Sequence, residues 1–264
     1  AFIGYRPISA SDIMVRSHGY LKTKKKIPSP GELYRLAAVD VFESANRFPD
    51  ISTKVKLPKA DFVDEKGPWH APDIFVVSLS LPTEKPTLGR ATDDGRGYTI
   101  TLYYVMKDET RKVLRRITDP AYDPNADPDN AAKSPNADEA ARQSSLVNAV
   151  RLFDEWCRRS PSDPAFQARF KLIPNGHNLK EIGMPGWIGK YNGKPVLIKR
   201  AGVTGFLYDH RTDLSAMEFD VSIHPFPYLA KQATAYMKEN YFKLLLVSFS
   251  FVIEGRDDDE LPEV

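Results

Sequence analysis

The sequence predicts a protein of the α+β class, in which a curved antiparallel sheet carries two main helices. Strand-like segments follow one another in runs, and only two long segments show helical periodicity. No Gly-x-Gly-x-x-Gly or Walker-type loop follows a strand, which argues against a parallel nucleotide-binding sheet. The 264 residues suit one large domain, so we predict a single domain over residues 1–264.

β-branched and aromatic residues predict four strands in the first half of the chain. These strands span residues 12–17, 34–42, 74–81 and 98–106. The last two are the clearest, and we expect them to pair. Residues 82–97 between them are rich in Pro, Gly, Asp and Thr, and this length predicts a mobile loop.

A Pro/Asp-rich stretch at about 119–137 separates the two halves. It holds four prolines and few apolar side chains, so it cannot contribute to a core. We therefore predict a flexible insertion there.

The second half predicts two helices and four further strands. One helix begins after Asn136 or Asp138 and ends before Pro161, with apolar residues three and four positions apart. The other runs from Pro225 or Pro227 to about Asn240. We expect that second helix to bury Leu229, Ala233, Tyr236 and Met237. The predicted strands span residues 166–173, 195–200, 217–224 and 244–253.

Two of these strands allow predictions about their surroundings. Residues 217–224 alternate between apolar and polar side chains, which predicts one solvated face bearing Glu218 and Asp220. Residues 244–253 are almost continuously apolar, which predicts a central strand covered on both faces.

Composition excludes several classes of protein. A formal charge of +2 gives no overall attraction to nucleic acid. The single cysteine, Cys157, excludes an internal disulfide framework and a Cys-x-x-Cys metal or redox motif. No apolar run reaches the roughly 18 residues of a membrane span. We therefore expect a cytoplasmic or peripheral membrane protein.

No catalytic or metal-binding motif is evident. The five histidines are scattered, and a Gly-x-Ser-x-Gly elbow is missing. Glu218 and Asp220 share one strand face, an arrangement that general acid–base chemistry could use, but any solvated strand has the same spacing. We predict a protein without enzymatic activity and without a metal site.

Two basic clusters are candidate contacts for an anionic surface. Lys22, Lys24, Lys25 and Lys26 form the first. The second comprises Arg111, Lys112, Arg115 and Arg116. Four such groups would add about 1 kcal/mol each near anionic lipid. A merely solvated hairpin explains the lysines equally well.

Aromatic residues in or beside the strands line either a packed core or an apolar ligand cavity. Sequence alone leaves both open. The candidate ligand contacts are Tyr103, Phe170, Trp187, Phe206, Tyr208 and Phe219, with the polar residues Arg169 and Lys171 at the cavity mouth.

Several short blocks together resemble the C-terminal domain family of the plant enhanced disease resistance 2 proteins. The blocks, in order along the chain, are Val15-Arg16-Ser17, Pro72-Asp73, Arg169-Phe170-Lys171-Leu172-Ile173-Pro174, Glu218-Phe219-Asp220, Ile253-Glu254-Gly255 and Glu260-Leu261-Pro262-Glu263. The resemblance covers nearly the whole chain and implies a setting of lipid recognition at membranes and defence signalling. A START-like form of the sheet is one version of the predicted fold. The chain departs from the family pattern at Ser222 and at Pro225-Phe226-Pro227.

Our preferred hypothesis is non-enzymatic binding of a hydrophobic small molecule. A lipid, a sterol or an isoprenoid pigment is the expected bound molecule, with Lys22 to Lys26 docking the protein on an anionic membrane. The alternative is an interaction or regulatory module in lipid or defence signalling, which would use the acidic segment from Asp257 to Glu260. The oligomeric state stays open.

Overall fold

The computed structural model describes residues 4–60, 67–87, 89, 94–123, 137–198, 204–210 and 215–263. These residues form ten strands and six helices, which confirms the α+β class. The strands are β1 (Met14–Arg16), β2 (Lys26–Pro28), β3 (Tyr34–Ser44), β4 (Ile74–Pro82), β5 (Gly97–Met106), β6 (Phe170–Gly176), β7 (Val196–Leu197), β8 (Thr204–Asp209), β9 (Ala216–Ser222) and β10 (Val247–Ile253). The helices are α1 (Tyr20–Thr23), α2 (Asp108–Ile117), α3 (Ala137–Arg159), α4 (Pro164–Gln167), α5 (Gly186–Gly189) and α6 (Tyr228–Asn240).

The largest sheet has five strands in the order β3-β5-β4-β9-β8. Its pairs are antiparallel except for β4 and β9, which run parallel. The predicted pairing of β4 with β5 is confirmed, with Val77 opposite Leu102. A second sheet has the order β10-β6-β7, and β1 pairs with β2 as a separate hairpin.

One face of the five-stranded sheet forms the apolar core. Alternate residues of β4 and β9 point there and pack against the buried side of α3 and against β6. Aromatic rings fill the centre: Phe170 and Phe219 have centroids 4.4 Å apart, and Trp156 lies 5.7 Å from Phe170. Helix α3 therefore covers this face, as its periodicity predicts.

The opposite face of the same sheet is polar and is also buried. All seven residues of β9 are buried, including Glu218, Asp220 and Ser222. The prediction of a solvated face on this strand is therefore wrong. The segment around the 3-10 turn Ile51–Thr53 lies over this face, and Ile51 packs there against Val76.

Strand β10 lies at one end of its sheet, where it pairs only with β6. The prediction of a central strand covered on both faces is wrong, because Leu244, Leu246 and Val247 are exposed. The predicted strand over 166–173 begins later, at Phe170, because Asp163 caps the short helix α4 that precedes it.

Helix α2 was not predicted. Acidic residues lie in its first turn and basic residues in its last, which suits the helix dipole. The basic cluster predicted there is not a uniform surface, because Arg111 is buried and pairs with Asp73 at 2.7 Å. Helix α6 has the predicted span, but it buries Lys231, Thr234 and Ala235 instead of Leu229 and Tyr236.

The last residues of the described chain are part of the core. Leu261 and Glu263 are buried, and the Asn148 side chain donates to the carbonyl oxygen of Leu261. The backbone N–H of Glu263 donates to the carbonyl oxygen of Arg16. This closing segment therefore joins the N-terminal hairpin to α3 and β6.

Most of the predicted flexible insertion, residues 124–136, lies outside the described residues, as do residues 88 and 90–93 of the predicted mobile loop. On the described side, Arg151 donates to the Tyr122 hydroxyl at 2.8 Å.

Candidate functional site

The structure does not bring the eight predicted ligand contacts together. Phe170 and Phe219 touch each other in the apolar core. Tyr103 lies on the opposite face of the sheet, beside Ile51 and Val76. The internal ligand cavity thus stays a prediction, and the rings at its expected centre pack on one another.

The remaining candidates occupy three other places. Trp187 is exposed on α5. Phe206 and Tyr208 lie on the edge strand β8, where the Arg47 guanidinium stands 4.5 Å from the Phe206 ring centroid. Arg169 and Lys171 contact the closing segment instead of a cavity mouth.

Those last two residues belong to a cluster of ion pairs. Arg169 donates to both carboxylate oxygens of Glu260, at 2.7 and 2.8 Å. Lys171 donates to Glu263 at 2.6 Å, and both side chains are buried. Burial lowers the pKa of Lys171, while the adjacent Glu263 opposes that shift. Removing one partner would leave the other charge buried and unpaired. These ion pairs therefore stabilise the position of the closing segment.

The buried carboxylates Glu218 and Asp220 form the densest polar cluster that we find on the sheet. The Glu218 carboxylate accepts hydrogen bonds from the backbone N–H of Ile51 at 2.9 Å and of Ser52 at 2.7 Å. The hydroxyls of Ser52 and Ser78 donate to it at 2.5 and 3.0 Å. Its neighbour Asp220 accepts from the backbone N–H of Asp50 at 3.1 Å.

The two carboxyl groups differ in protonation, because Glu218 is ionised and Asp220 is neutral at pH 7. Burial raises the pKa of Asp220 to about 9, and the hydrogen bond and negative charge of Glu218 add to this shift. Burial opposes ionisation of Glu218 as well, but hydrogen bonds from Asp220, Ser52 and Ile51 outweigh it and keep its pKa below the ordinary value. At neutral pH the pair therefore shares one proton, which Asp220 carries.

Glu218 also belongs to a group of three side chains that could hold a metal ion. One ligand atom each from Asp50, His210 and Glu218 lies within 4.8 Å of the others. However, a carboxylate has about four lone-pair positions, and four protein donors already occupy those of Glu218. His210 and Asp50 also bind each other at 2.8 Å. The arrangement is that of a clamp that fastens the segment at residues 50–53 to the sheet.

The predicted membrane lysines Lys22, Lys24, Lys25 and Lys26 are all exposed. They lie on α1, on the turn that follows it and at the first position of β2. The acidic turn Asp258–Glu260 approaches the same hairpin, because Asp258 accepts from the backbone N–H of Gly19 at 3.2 Å. Nearby acidic groups reduce the attraction of this tip for an anionic surface.

A second exposed surface, which we call the Trp187 face, was missed from the sequence. Trp187 is 50% exposed, Tyr191 60%, Leu244 60% and Leu246 62%. The ring centroids of Trp187 and Tyr236 lie 6.2 Å apart, and Tyr236 lies 5.7 Å from Tyr241. The leucines at 244–246 are the sequence feature that could have indicated this surface, but their apolar character predicted a buried strand.

Hydrogen bonds join the pieces of the Trp187 face into one surface. Asn178 donates to the carbonyl oxygen of Leu244 at 2.7 Å and accepts from the backbone N–H of Leu246 at 2.9 Å. The Tyr241 hydroxyl donates to the carbonyl oxygen of Gly183. Four lysines of these segments are exposed, namely Lys180, Lys190, Lys194 and Lys243. The face therefore combines apolar and cationic side chains.

Clefts in the described surface include two that charged side chains line. The larger, about 340 Å³, lies beside Trp69 and Arg115 and is widely open. The smaller, about 180 Å³, is lined by residues within 82–87 and 94–96, by His224 and by Lys231 of α6. The walls of the smaller cleft are more polar than those of the larger one.

Within the described residues, no helix has both the length and the apolar content needed to span a bilayer.

Comparisons with known proteins identify only the family of the chain. No curated protein and no solved structure matches the chain. A family model described as "Protein ENHANCED DISEASE RESISTANCE 2, C-terminal" matches residues 5–264. The chain therefore belongs to this family, as the ordered sequence blocks predict.

Proposed function

We propose that the protein is a non-enzymatic module that associates peripherally with an anionic lipid membrane through the Trp187 face. The observation that carries this proposal is the exposure of Leu244, Leu246, Trp187 and Tyr191 in segments that contact one another through Tyr236 and Tyr241. A bilayer supplies both an apolar phase and negative charge, and this face offers a complement to each.

The apolar contribution comes from side chains that water solvates poorly. Fully burying a leucine side chain contributes about 1.5–3 kcal/mol, so the two leucines supply roughly half of that each from their exposed fractions. Trp and Tyr are enriched at the boundary between headgroups and acyl chains, where the ring is buried and the polar edge stays wet. Trp187 and Tyr191 suit that position.

The electrostatic contribution comes from the surrounding lysines. Residues 177–194 hold three lysines and one glutamate, and residues 236–247 hold two lysines and one glutamate. Each lysine near an anionic membrane adds about 1 kcal/mol, within a Debye length of about 10 Å at 0.1 M salt. The neighbourhood of Lys22 to Lys26 lacks this advantage, because the acidic turn Asp258–Glu260 stands beside it.

Vesicle binding tests this proposal. The double variant L244S/L246S should weaken binding to vesicles of phosphatidylcholine and phosphatidylserine about tenfold or more, measured by co-sedimentation. Both side chains are exposed, so the fold should be unaffected, which thermal unfolding checks. Undiminished binding of this variant would overturn the proposal.

Two controls locate the contact. Trp69 and Trp156 are buried, so a blue shift of fluorescence on adding vesicles reports Trp187 and should vanish in W187F. Replacing Lys22, Lys24, Lys25 and Lys26 with serine should change binding less than L244S/L246S does. A larger loss in the lysine variant would place the contact on the N-terminal hairpin.

A separate experiment tests whether the protein binds a hydrophobic molecule in its interior. Organic extraction of the purified protein followed by mass spectrometry would detect a stoichiometric lipid, sterol or pigment. The interaction module predicts instead a protein partner that is retained without any such molecule.

A further inference from the structure

The smaller cleft, which we call the Lys231 cleft, is lined by a largely buried lysine whose ammonium opens into the cleft without a partner among the described residues. Lys231 is only 8% exposed and lines the cleft from the first turns of α6. Within the described residues its ammonium makes no hydrogen bond and no ion pair. An ammonium that opens into a cleft and has no partner there is available to pair with an anion.

The other cations of the cleft are already paired at its rim. Arg96 pairs with Glu43 at 2.8 Å, and Lys85 pairs with Glu239 at 3.2 Å. Both partners approach from outside the cleft. Lys231 is therefore the lining cation whose charge is still available.

The acidic residues of the cleft do not neutralise Lys231. Asp94 is exposed, and its Oδ1 accepts from the backbone N–H groups of Arg47 at 2.5 Å and Gly95 at 2.8 Å. Glu84 is exposed at the rim, where water screens its charge. No ion pair joins either acid to Lys231 in the described part of the chain.

The floor of the cleft offers a second donor. His224 is 3% exposed and lines the same cleft. Burial lowers its pKa despite the opposing charge of Asp94, so the imidazole is neutral at pH 7 and has one N–H to donate. The floor thus presents an ammonium and an imidazole, whereas the rim is mixed in charge and solvated.

We propose that the Lys231 cleft binds a phosphate group, carried by a phospholipid headgroup or by a soluble phosphate monoester. Lysine is a common phosphate ligand, acting as a point charge with three donors. Sites for drug-sized molecules usually measure about 300–1,000 Å³, so a cleft of about 180 Å³ suits a compact anion. This site does not depend on the Trp187 face, since different side chains form it.

Titration with inorganic phosphate tests the site without lipid. Phosphate should raise the midpoint of thermal unfolding of the full chain beyond the effect of sodium chloride at equal ionic strength. K231M should weaken phosphate affinity at least about tenfold, which corresponds to about 1.4 kcal/mol. K56M, which removes an exposed lysine outside the cleft, should bind phosphate as the parent does.

A further variant separates ligand binding from an internal pair. If Lys231 only pairs with Glu84 in solution, E84Q and K231M should destabilise equally and phosphate should stabilise neither the parent nor E84Q. If the site is real, E84Q should bind phosphate as well as or better than the parent. Failure of phosphate to act beyond sodium chloride, or an equal response of K231M and parent, would overturn the proposal.

Vesicles containing phosphatidic acid identify the source of the phosphate. A headgroup source requires that K231M lowers vesicle binding and that free phosphate competes with it. A soluble source requires that K231M lowers binding of glycerol 3-phosphate and leaves vesicle binding unchanged. Because L244S/L246S should still bind free phosphate, failure of the membrane proposal is distinguishable from failure of this one.

Discussion

The two faces of the central strands β4 and β9 are both buried, yet they are held by different forces. On one face, Phe219 packs against Phe170 and Trp156, and the contact needs no particular direction. On the other face, Glu218 accepts four directed hydrogen bonds from a segment far away in the chain and from a neighbouring strand. Apolar packing should therefore set the global stability, while the polar face should set the position of one segment.

The largest effect is expected from the apolar face. F219A should lower the free energy of unfolding by about 3–5 kcal/mol, because it leaves a cavity among rings that cannot collapse fully. Chemical denaturation checks this value, and F206A on the edge strand is the matched control with a small effect. A loss below about 1 kcal/mol for F219A would mean that this ring is not packed as described.

A smaller and more local effect is expected from the polar face. E218Q replaces one acceptor oxygen with an amide that faces N–H donors, so it should cost about 2–3 kcal/mol. The amides of Ile51 and Ser52 should exchange with deuterium faster, while those of α3 stay protected. Uniform loss of protection throughout the protein would contradict the idea of a local clamp.

The last prediction concerns the shared proton and is a dependence of stability on pH. The pKa of Asp220 is raised to about 9, so the folded state holds a proton that the unfolded chain has lost above pH 3.8. Stability from this group therefore falls as pH rises from about 4 to 9, by at most about 1.4 kcal/mol per pH unit. D220N keeps a neutral donor beside Glu218 and should remove this fall.

The two carboxyl groups change the stability of the protein in different pH ranges. The pKa of Glu218 is lowered, so its contribution is complete above its unfolded pKa and is lost only as pH falls through the folded value. Between pH 5 and 8, the difference in unfolding free energy between D220N and the parent should grow with pH. A constant difference across this range would show that Asp220 is ionised in the folded protein.

Local patterns predicted most of the regular elements. Alternating and β-branched residues predicted β3, β4, β5 and β9, and periodicity predicted the spans of α3 and α6. Helix α2 escaped because its four basic residues suggested a surface cluster, whereas Arg111 is buried against Asp73. The periodicity of a sequence does not show which distant residue a side chain will contact.

The candidate sites were harder to predict than the elements. Phe170 and Phe219 are aromatic strand residues, and sequence alone left them as core or cavity. Leu244 and Leu246 are apolar, so the sequence predicted burial, but their segment lies at the edge of a small sheet. Lys231 resembles any helix surface lysine in the sequence, and only the fold places it in a cleft.

The order of residues alone determined most of the strands, the two long helices, and that Glu218 and Asp220 point away from Phe219 on β9. Those properties depend on neighbours a few positions apart. Only the tertiary structure decided that Ile51 and Ser52, about 170 residues earlier, cover the carboxylates and that the leucine run stays in solvent. Burial depends on which distant segment lies on each face, and alternation on one strand holds no information about that partner.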